Sequence, residues 1–211
     1  MKKKTGYIGG KPSFVTRRDE IISKVCAYPQ RIKSHVLREV VELAIEISRE
    51  GREGRKVGTI FVVGDVDSVK KHSRPLILDP LSRHPTKQKH LTDANLRETV
   101  KELAQLDGGF IVDEEGHVLS AARYFDASSS GIEIHLGLGA RHMAAASITK
   151  RTNAVAIVVS ESSIVRIFRK GNLVAEILPE LWLLSRFSSH IKVPEMTKHL
   201  MENIAIVSEK E

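Results

Sequence analysis

Residues 57–64 (Val-Gly-Thr-Ile-Phe-Val-Val-Gly) constrain the fold of this chain more than any other segment. They form a nearly unbroken apolar run, rich in β-branched residues and closed by a glycine, which predicts a buried strand. Residues 154–159 have the same apolar character. Strands of this kind need helices to cover them. We therefore expect an α/β fold: a single domain with a central mixed β-sheet flanked by helices.

Helical periodicity marks two stretches on either side of the first strand. Apolar residues recur at helical spacing from residue 35 to residue 50, and Gly51 ends the pattern. Thr92 or Asp93 is a suitable N-cap for a second helix that ends before the glycines at 108–109. The remaining pattern predicts strands at 109–112, 118–124, 154–159, 164–168 and 173–177, a hairpin turn at 169–172, and helices at 142–149 and 180–187.

The length of the chain and the positions of its glycine and proline residues predict the domain organisation. A chain of 211 residues is expected to form one domain. Residues 1–34 show no sustained period and contain two prolines and a Gly-Gly pair, so we assign them to a basic N-terminal extension. Residues 35–187 then form the domain, and residues 188–211 form a C-terminal extension.

The positive charge is concentrated in the first quarter of the chain. Lys and Arg number 33 against 26 Asp and Glu, and the whole excess lies within residues 1–56. The rest of the chain is neutral, which argues against a nucleic-acid-binding groove in that part. Two interpretations of the basic N-terminal extension stay open: its charges are solvated on the surface, or it is an arm that binds a partner such as nucleic acid.

Cysteine usage and hydropathy indicate the compartment. The single cysteine, Cys26, excludes an internal disulfide and a zinc cluster built on cysteines, and it fits a reducing environment. No apolar run approaches the roughly 18 residues that a membrane span needs. We therefore expect a cytoplasmic protein with no membrane partner.

Three short segments place polar residues at the ends of apolar elements. In Asp107-Gly108-Gly109 the glycines let a ligand approach the backbone, and the carboxylate can hold a metal or a hydroxyl. A helix C-cap followed by a strand explains the same residues. Ser160-Glu161 follows the strand at 154–159, where a carboxylate is either a ligand or a turn residue.

The third segment opens a helix. Glycines before a helix N-terminus leave N–H groups free for an anion, and Arg141 and His142 add donors suited to phosphate. The residues match neither the Walker loop nor the dinucleotide fingerprint. A flexible loop with a surface arginine is the alternative explanation.

Taken together and in their order along the chain, with Arg141-His142 between Asp107-Gly108-Gly109 and Ser160-Glu161, the three segments resemble the diadenylate cyclase family, and in detail its archaeal branch. The resemblance covers roughly residues 35–185. It implies an enzyme that joins two ATP molecules into cyclic di-AMP. It also implies a divalent metal ion, Mn²⁺ or Mg²⁺, and a homo-oligomer in which two active sites face each other.

The resemblance also implies roles for individual residues. Asp107, with Gly108 and Gly109, would lie beside the attacking ribose 3′-hydroxyl and the metal. The triphosphate would contact the segment Gly139, Ala140, Arg141, His142 and Met143. Ser160 would bind ATP, and Glu161 would be a second metal ligand. The strand at 118–124 would line the adenine pocket, with Leu119 in it and Tyr124 stacking on the base.

Three residues depart from the family pattern. Gly109 replaces an alanine, which removes only a methyl group. Ala140 replaces a threonine, and Met143 replaces an arginine, which removes a positive charge from the phosphate site. Three other cations could replace that charge: Arg123, Lys150 and Arg151. The departures keep open a non-catalytic module that binds ATP or cyclic di-AMP.

Overall fold

The predicted strands assemble into one mixed sheet. A computed structural model describes residues 32–127, 132 and 138–179. Within these residues the strands are β1 (Thr59–Val63), β2 (Ser73–Pro75), β3 (Gly109–Val112), β4 (Val118–Phe125), β5 (Val155–Val159), β6 (Val165–Arg169) and β7 (Asn172–Ile177). Their order is β2-β4-β3-β1-β5-β6-β7. β1 and β3 are parallel, whereas the other neighbouring pairs are antiparallel.

Helices cover both faces of this sheet, as the apolar strands require. The described helices are α1 (Ser34–Glu50), α2 (Val66–Lys71), α3 (Ala94–Leu103) and α4 (Ala140–Arg151). α1 and α3 share one core with Phe61 and Ile157, which are fully buried. α2 and α4 share a second core on the opposite face with Val62 and Val158. Because successive strand residues alternate between the faces, each apolar run fills both cores.

Local signals in the sequence explain where the elements begin and end. Asp93 caps α3, since its carboxylate accepts hydrogen bonds from the backbone N–H groups of Asn95 and Leu96. α1 ends at Gly51, which has a φ of 59° that favours glycine. The predicted hairpin turn joins β6 to β7. These features confirm the α/β fold class that the sequence predicts.

Two short elements were not predicted. The helix α2 has six residues, too few to show a period, and it begins after Asp65 in a left-handed conformation. β2 lies in the proline-containing stretch that predicts a loop, and it pairs with β4 at the sheet edge. The helix α4 is longer than the 142–149 prediction because it also includes its polar first turn and its basic last turn.

Several predictions fall on residues outside the described ranges. These include the helix at 180–187 and the domain boundary after residue 187, which stay predictions. The boundary after residue 34 lies within the described residues, where α1 begins at Ser34, and it also stays a prediction. The serine- and glycine-rich segment between β4 and α4 is described only in part. Among the residues that are described, no helix has the length and apolar character to cross a membrane.

Candidate active site

The three predicted site segments meet at one end of the sheet. Because β1 and β3 are parallel, Gly58 before β1 and residues 107–108 before β3 lie at the same end. β5 runs antiparallel to β1, with Thr59 opposite Val159, so residues 160–161 follow at that end as well. The N-terminal residues of α4 line the same cavity. Strand direction therefore gathers segments that are far apart in the sequence.

Arg141, near the start of α4, lies between two carboxylates. Its Nη1 donates to Oε1 of Glu161 at 2.9 Å, and its Nη2 lies 4.0 Å from Oδ1 of Asp107. The Asp107 side chain is 94% exposed and that of Glu161 is 65% exposed. Ion pairs this exposed contribute only about 0–1 kcal/mol to stability. The three charged groups can therefore exchange these contacts for contacts with a ligand at little cost.

These side chains line a cavity of about 640 Å³. Small-molecule sites commonly measure roughly 300–1,000 Å³, so a nucleotide-sized ligand fits this space. The predicted site residues that line it are Asp107, Gly108, Tyr124, Gly139, Ala140, Arg141, His142, Ser160 and Glu161. The structure thus brings these residues together around one cavity.

Three predicted site residues, Gly109, Leu119 and Met143, do not line this cavity. Gly109 lies against β1, and Met143 is half-buried in the first turns of α4. Leu119 lies five residues before Tyr124 on β4, roughly 15 Å along the strand at the usual rise per residue. Their proposed contacts with ATP stay predictions.

β4 carries an irregularity beside the cavity. Gly109 of β3 pairs with Arg123, whereas Ile111 pairs with Ser120, so β4 carries one extra residue in this interval. Ala122 in the interval has a φ of 51°, which is unusual for a residue other than glycine. Arg123 and Tyr124, the next two residues of β4, both line the cavity. Such bulges often lie beside functional sites.

Arg123 is a partly buried cation in the cavity wall. Its Nη2 donates to the carbonyl and to Oγ of Ser73, at 3.0 and 2.9 Å. Its Nε is buried and has no partner among the described residues. Burial lowers the pKa of Arg123, and the charge of Asp79 partly offsets that effect. A partly buried guanidinium in a cavity wall can attract an anionic ligand through its charge.

Tyr124 offers an aromatic surface beside this cation. Its side chain is among the exposed large apolar groups, and it lines the same cavity. The guanidinium of Arg74 lies over the ring, with Cζ 4.8 Å from the ring centroid. An exposed ring at a cavity wall can stack on a flat heterocycle such as a nucleobase.

Two glycines permit close packing at the cavity. A Cβ on Gly58 would lie 2.6 Å from Nη1 of Arg141, so Gly58 leaves room for the Arg141–Glu161 pair. Gly108 has a φ of 94°, and a Cβ there would lie 2.6 Å from the carbonyl oxygen of Arg123. The sequence analysis missed Gly58 as a site residue. Its signal is a glycine within a strand-like run, which often marks close approach.

The packing of β3 against β1 in this chain leaves no room at Gly109 for the alanine of the family pattern. A Cβ there would lie 2.2 Å from the carbonyl oxygen of Ile60 and 2.3 Å from its Cγ2, so β3 would have to move away from β1. Gly109→Ala should therefore lower the free energy of unfolding by about 1–3 kcal/mol. Urea denaturation followed by circular dichroism measures this.

Gly139→Ala is the matched control, because a Cβ at that position meets no atom within 4 Å. It should change the free energy of unfolding by less than about 1 kcal/mol, since only the N-cap preference changes. Equal stability of the two variants would contradict the packing of Gly109 against Ile60.

His142, the third residue of α4, is buried against the sheet. Its Nε2 lies 3.2 Å from Nη1 of Arg166, and its Nδ1 is buried without a partner among the described residues. Burial lowers the pKa of His142 to about 4, and the charges of Arg166 and Arg141 act in the same direction. The ring is therefore neutral at neutral pH.

The carboxylates of this site suit a divalent metal ion. Asp107 and Glu161 present exposed, hard oxygen donors at one cavity. Among the described residues no group of three or more His, Cys, Asp or Glu side chains could hold an ion by itself. Mg²⁺ commonly binds one or two carboxylates and completes its shell with water and substrate phosphates. The residues present therefore fit an ion that arrives with a phosphorylated ligand.

Comparison with known proteins identifies relatives of the chain. A family model described as DisA bacterial checkpoint controller nucleotide-binding matches residues 46–173. A protein of Methanocaldococcus jannaschii named diadenylate cyclase is 48% identical over 153 residues, which are 72% of this chain and 48% of that protein. A protein of Haloferax volcanii with the same name is 39% identical over 183 residues, 84% of this chain and 67% of that protein.

A solved structure supports the fold assignment. A crystal structure described as a hypothetical membrane spanning protein from Bacillus cereus superimposes with a TM-score of 0.52 at 23% identity. The match covers 72% of this chain and 66% of that one. The chain spans about half the length of the M. jannaschii protein and about two thirds of the H. volcanii protein.

Proposed function

The chain belongs to the diadenylate cyclase family, and on that basis we propose that it condenses two ATP molecules into cyclic di-AMP, releasing two pyrophosphates. One observation carries the proposal beyond family membership. Asp107, Arg141 and Glu161 meet at a single cavity, where the N-terminus of a helix also lies. A carboxylate for a hydroxyl, a cation for phosphate and a pair of metal ligands are the groups that this reaction needs.

In the proposed reaction, the ribose 3′-oxygen of each ATP bonds to the α-phosphorus of the other. The bond from that phosphorus to the oxygen that bridges it to the β-phosphate breaks, and pyrophosphate leaves. Asp107 lies beside the attacking hydroxyl, orients it and accepts its proton. Arg141 and the backbone N–H groups at the start of α4 bind the phosphates.

Asp107 and Glu161 would hold the divalent ion, Mn²⁺ or Mg²⁺. When bound, such an ion neutralises negative charge on the phosphates of ATP. Arg141 forms ion pairs with both carboxylates, so it can turn to the phosphates when the carboxylates bind a cation. These ion pairs keep the three charged groups close to one another.

The proposal also assigns a binding surface to the adenine and a position to the second ATP. Tyr124 would stack on the base, and Arg123 and His142 would face the nucleotide from the same cavity. Because one domain holds one ATP, two domains must face each other about a two-fold axis. The turnover per chain should therefore rise with protein concentration until the dimer saturates.

The products released from ATP distinguish this function from its rivals. With Mn²⁺ or Mg²⁺, a diadenylate cyclase releases one pyrophosphate for each ATP consumed, and no inorganic phosphate or ADP. A module that only binds ATP or cyclic di-AMP releases nothing, although it retains the ligand in equilibrium dialysis. Binding to nucleic acid through the basic N-terminal extension predicts a steep salt dependence that disappears when residues 1–34 are deleted.

We expect Arg123 to supply the positive charge that is missing at position 143, where the family pattern has an arginine and this chain has Met143. Lys150 and Arg151 lie at the far end of α4, nine and ten residues beyond Arg141, which is roughly 13–15 Å along the helix. Arg123 lines the cavity and is partly buried there. Arg123→Gln should raise the KM for ATP about 10-fold or more, as loss of a charge-assisted hydrogen bond does.

Two further variants test this assignment of the second cation. Lys150→Gln is the matched control and should leave the KM for ATP unchanged. Adding Met143→Arg to Arg123→Gln should recover part of the lost affinity, because it restores a cation near the phosphates. An unchanged KM in Arg123→Gln would rule out the assignment.

A further inference from the structure

A chain of three polar side chains runs beneath the start of α4. Arg166 of β6 and Glu176 of β7 are direct cross-strand partners, and Nε of Arg166 donates to Oε1 of Glu176. The Arg166 side chain is only 11% exposed. Its Nη1 lies 3.2 Å from Nε2 of His142, a residue that lines the cavity. Neither Arg166 nor Glu176 lines the cavity, so any effect they have on a ligand must pass through His142.

The chemistry of arginine decides which nitrogen of His142 carries the proton. A guanidinium has only donors, so Nε2 must accept the hydrogen bond from Arg166. In a neutral ring the proton then lies on Nδ1. That nitrogen is buried and has no partner among the described residues. His142 is also the third residue of α4, where the helix dipole favours an anion.

We infer that the Arg166–Glu176 pair is a positioning device that holds His142 neutral, with its proton on the buried Nδ1 at the start of α4. The inference rests on the proposed function only for the identity of the ligand whose binding depends on the position of this ring. Fixing a histidine tautomer through a partner on the opposite nitrogen is a recurring way to prepare a ring for its task.

The charges around the ring predict opposite effects for two substitutions. The pKa of His142 is lowered to about 4, with burial as the largest cause; the charges of Arg166 and Arg141 also lower it, whereas Glu176 and the backbone of Gly139 raise it. Arg166→Gln should raise the pKa toward the ordinary value near 6.5, because it removes a cation. Glu176→Gln should lower the pKa or leave it unchanged, because it removes an anion and keeps an acceptor for Arg166.

Nitrogen-15 NMR of the histidine ring in the full-length protein reads the tautomer directly. In the wild type at pH 7.5 we expect a protonated Nδ1 and an unprotonated Nε2. Addition of ATP with Mg²⁺ should shift the Nδ1–H signal. Arg166→Gln should give a mixture of tautomers, whereas Arg166→Lys, which retains a cationic donor, should preserve the Nδ1–H form.

Kinetics provide the second readout. Arg166→Gln should lower kcat/KM for ATP by about 10–100-fold, as loss of a partner that orients a histidine commonly does. Arg169→Gln, on the same strand but away from the cavity, is the matched control and should retain wild-type activity. Arg166→Lys should recover part of the loss, because lysine keeps a cationic donor. If all variants unfold at the same temperature, a purely structural role for Arg166 would not predict this recovery.

Each outcome bears on the inference separately from the proposed function. An Nε2–H tautomer in the wild type would overturn it, as would an unchanged tautomer and pKa in Arg166→Gln. If the tautomer follows these expectations but the wild type makes no cyclic di-AMP, the positioning of His142 stands and the proposed function fails.

Discussion

Asp107→Asn is expected to abolish cyclic di-AMP synthesis and leave the fold intact. Asparagine keeps the size of the side chain but removes the charge that binds a divalent ion and the basicity that accepts the 3′-hydroxyl proton. We expect turnover to fall by about 10²–10³-fold or more, the size of loss seen when one essential polar group is removed from a reaction centre. The production of cyclic di-AMP over time measures the loss.

Because Asp107 is exposed, this experiment separates an effect on catalysis from an effect on folding. Its side chain is 94% exposed and contributes little to packing, so the melting temperature of Asp107→Asn should match that of the wild type. Asp67→Asn, an exposed aspartate in the first turn of α2, is the matched control and should retain full turnover. Wild-type turnover in a folded Asp107→Asn variant would remove Asp107 from the proposed mechanism.

Arg141→Gln is expected to weaken both the binding of ATP and its conversion. Arg141 is the cation closest to both candidate metal ligands, and it lies at a helix N-terminus where phosphates bind favourably. Glutamine retains one donor group but not the charge or the bidentate geometry. We expect kcat/KM for ATP to fall by about 10²-fold, with the free energy of unfolding changed by less than about 1 kcal/mol.

Arg151→Gln tests whether the loss of activity in Arg141→Gln depends on the position of the arginine or only on the net charge of the protein. It makes the same substitution on the same helix, but at the end of α4 that is remote from the cavity. Initial rates over a range of ATP concentrations should show wild-type kinetics for this variant. An equal loss in both variants would indicate a general effect of net charge and would contradict the assigned role of Arg141.

The sequence predicted the helices and strands that have a clear apolar period and are bounded by capping or turn residues. The strand at 57–64, the helix that begins at Asp93 and the hairpin before residue 172 were all found. It did not predict α2 and β2, because elements of six and three residues show no period. Their formation depends on packing against β4 and the second core.

The site was predictable as a set of segments, but not as an arrangement. Motif order placed Asp107, Arg141 and Glu161 in one family pattern, and the strand directions explain why they meet. No sequence pattern predicts the bulge at Ala122, which lies next to the cavity-lining residues Arg123 and Tyr124. The Arg166–Glu176 pair was equally invisible, since it depends on the register between two strands.

The same logic explains the choice among the three candidate cations. In the sequence, Lys150 and Arg151 are nearer to Met143 than Arg123 is. Helical rise carries the first two away from the site, whereas sheet pairing brings Arg123 opposite Gly109. Distance along the chain was therefore a poor guide to distance in the fold.

The most direct test of the central claim is to identify the product that the protein forms from ATP. The purified protein is incubated with ATP and Mn²⁺ or Mg²⁺, beside the Asp107→Asn variant, and the nucleotides are separated and identified by mass. We expect cyclic di-AMP from the wild type only, and only when a divalent ion is present. Intact ATP with either ion, from a folded and dimeric protein, would contradict the claim and leave a nucleotide-binding module.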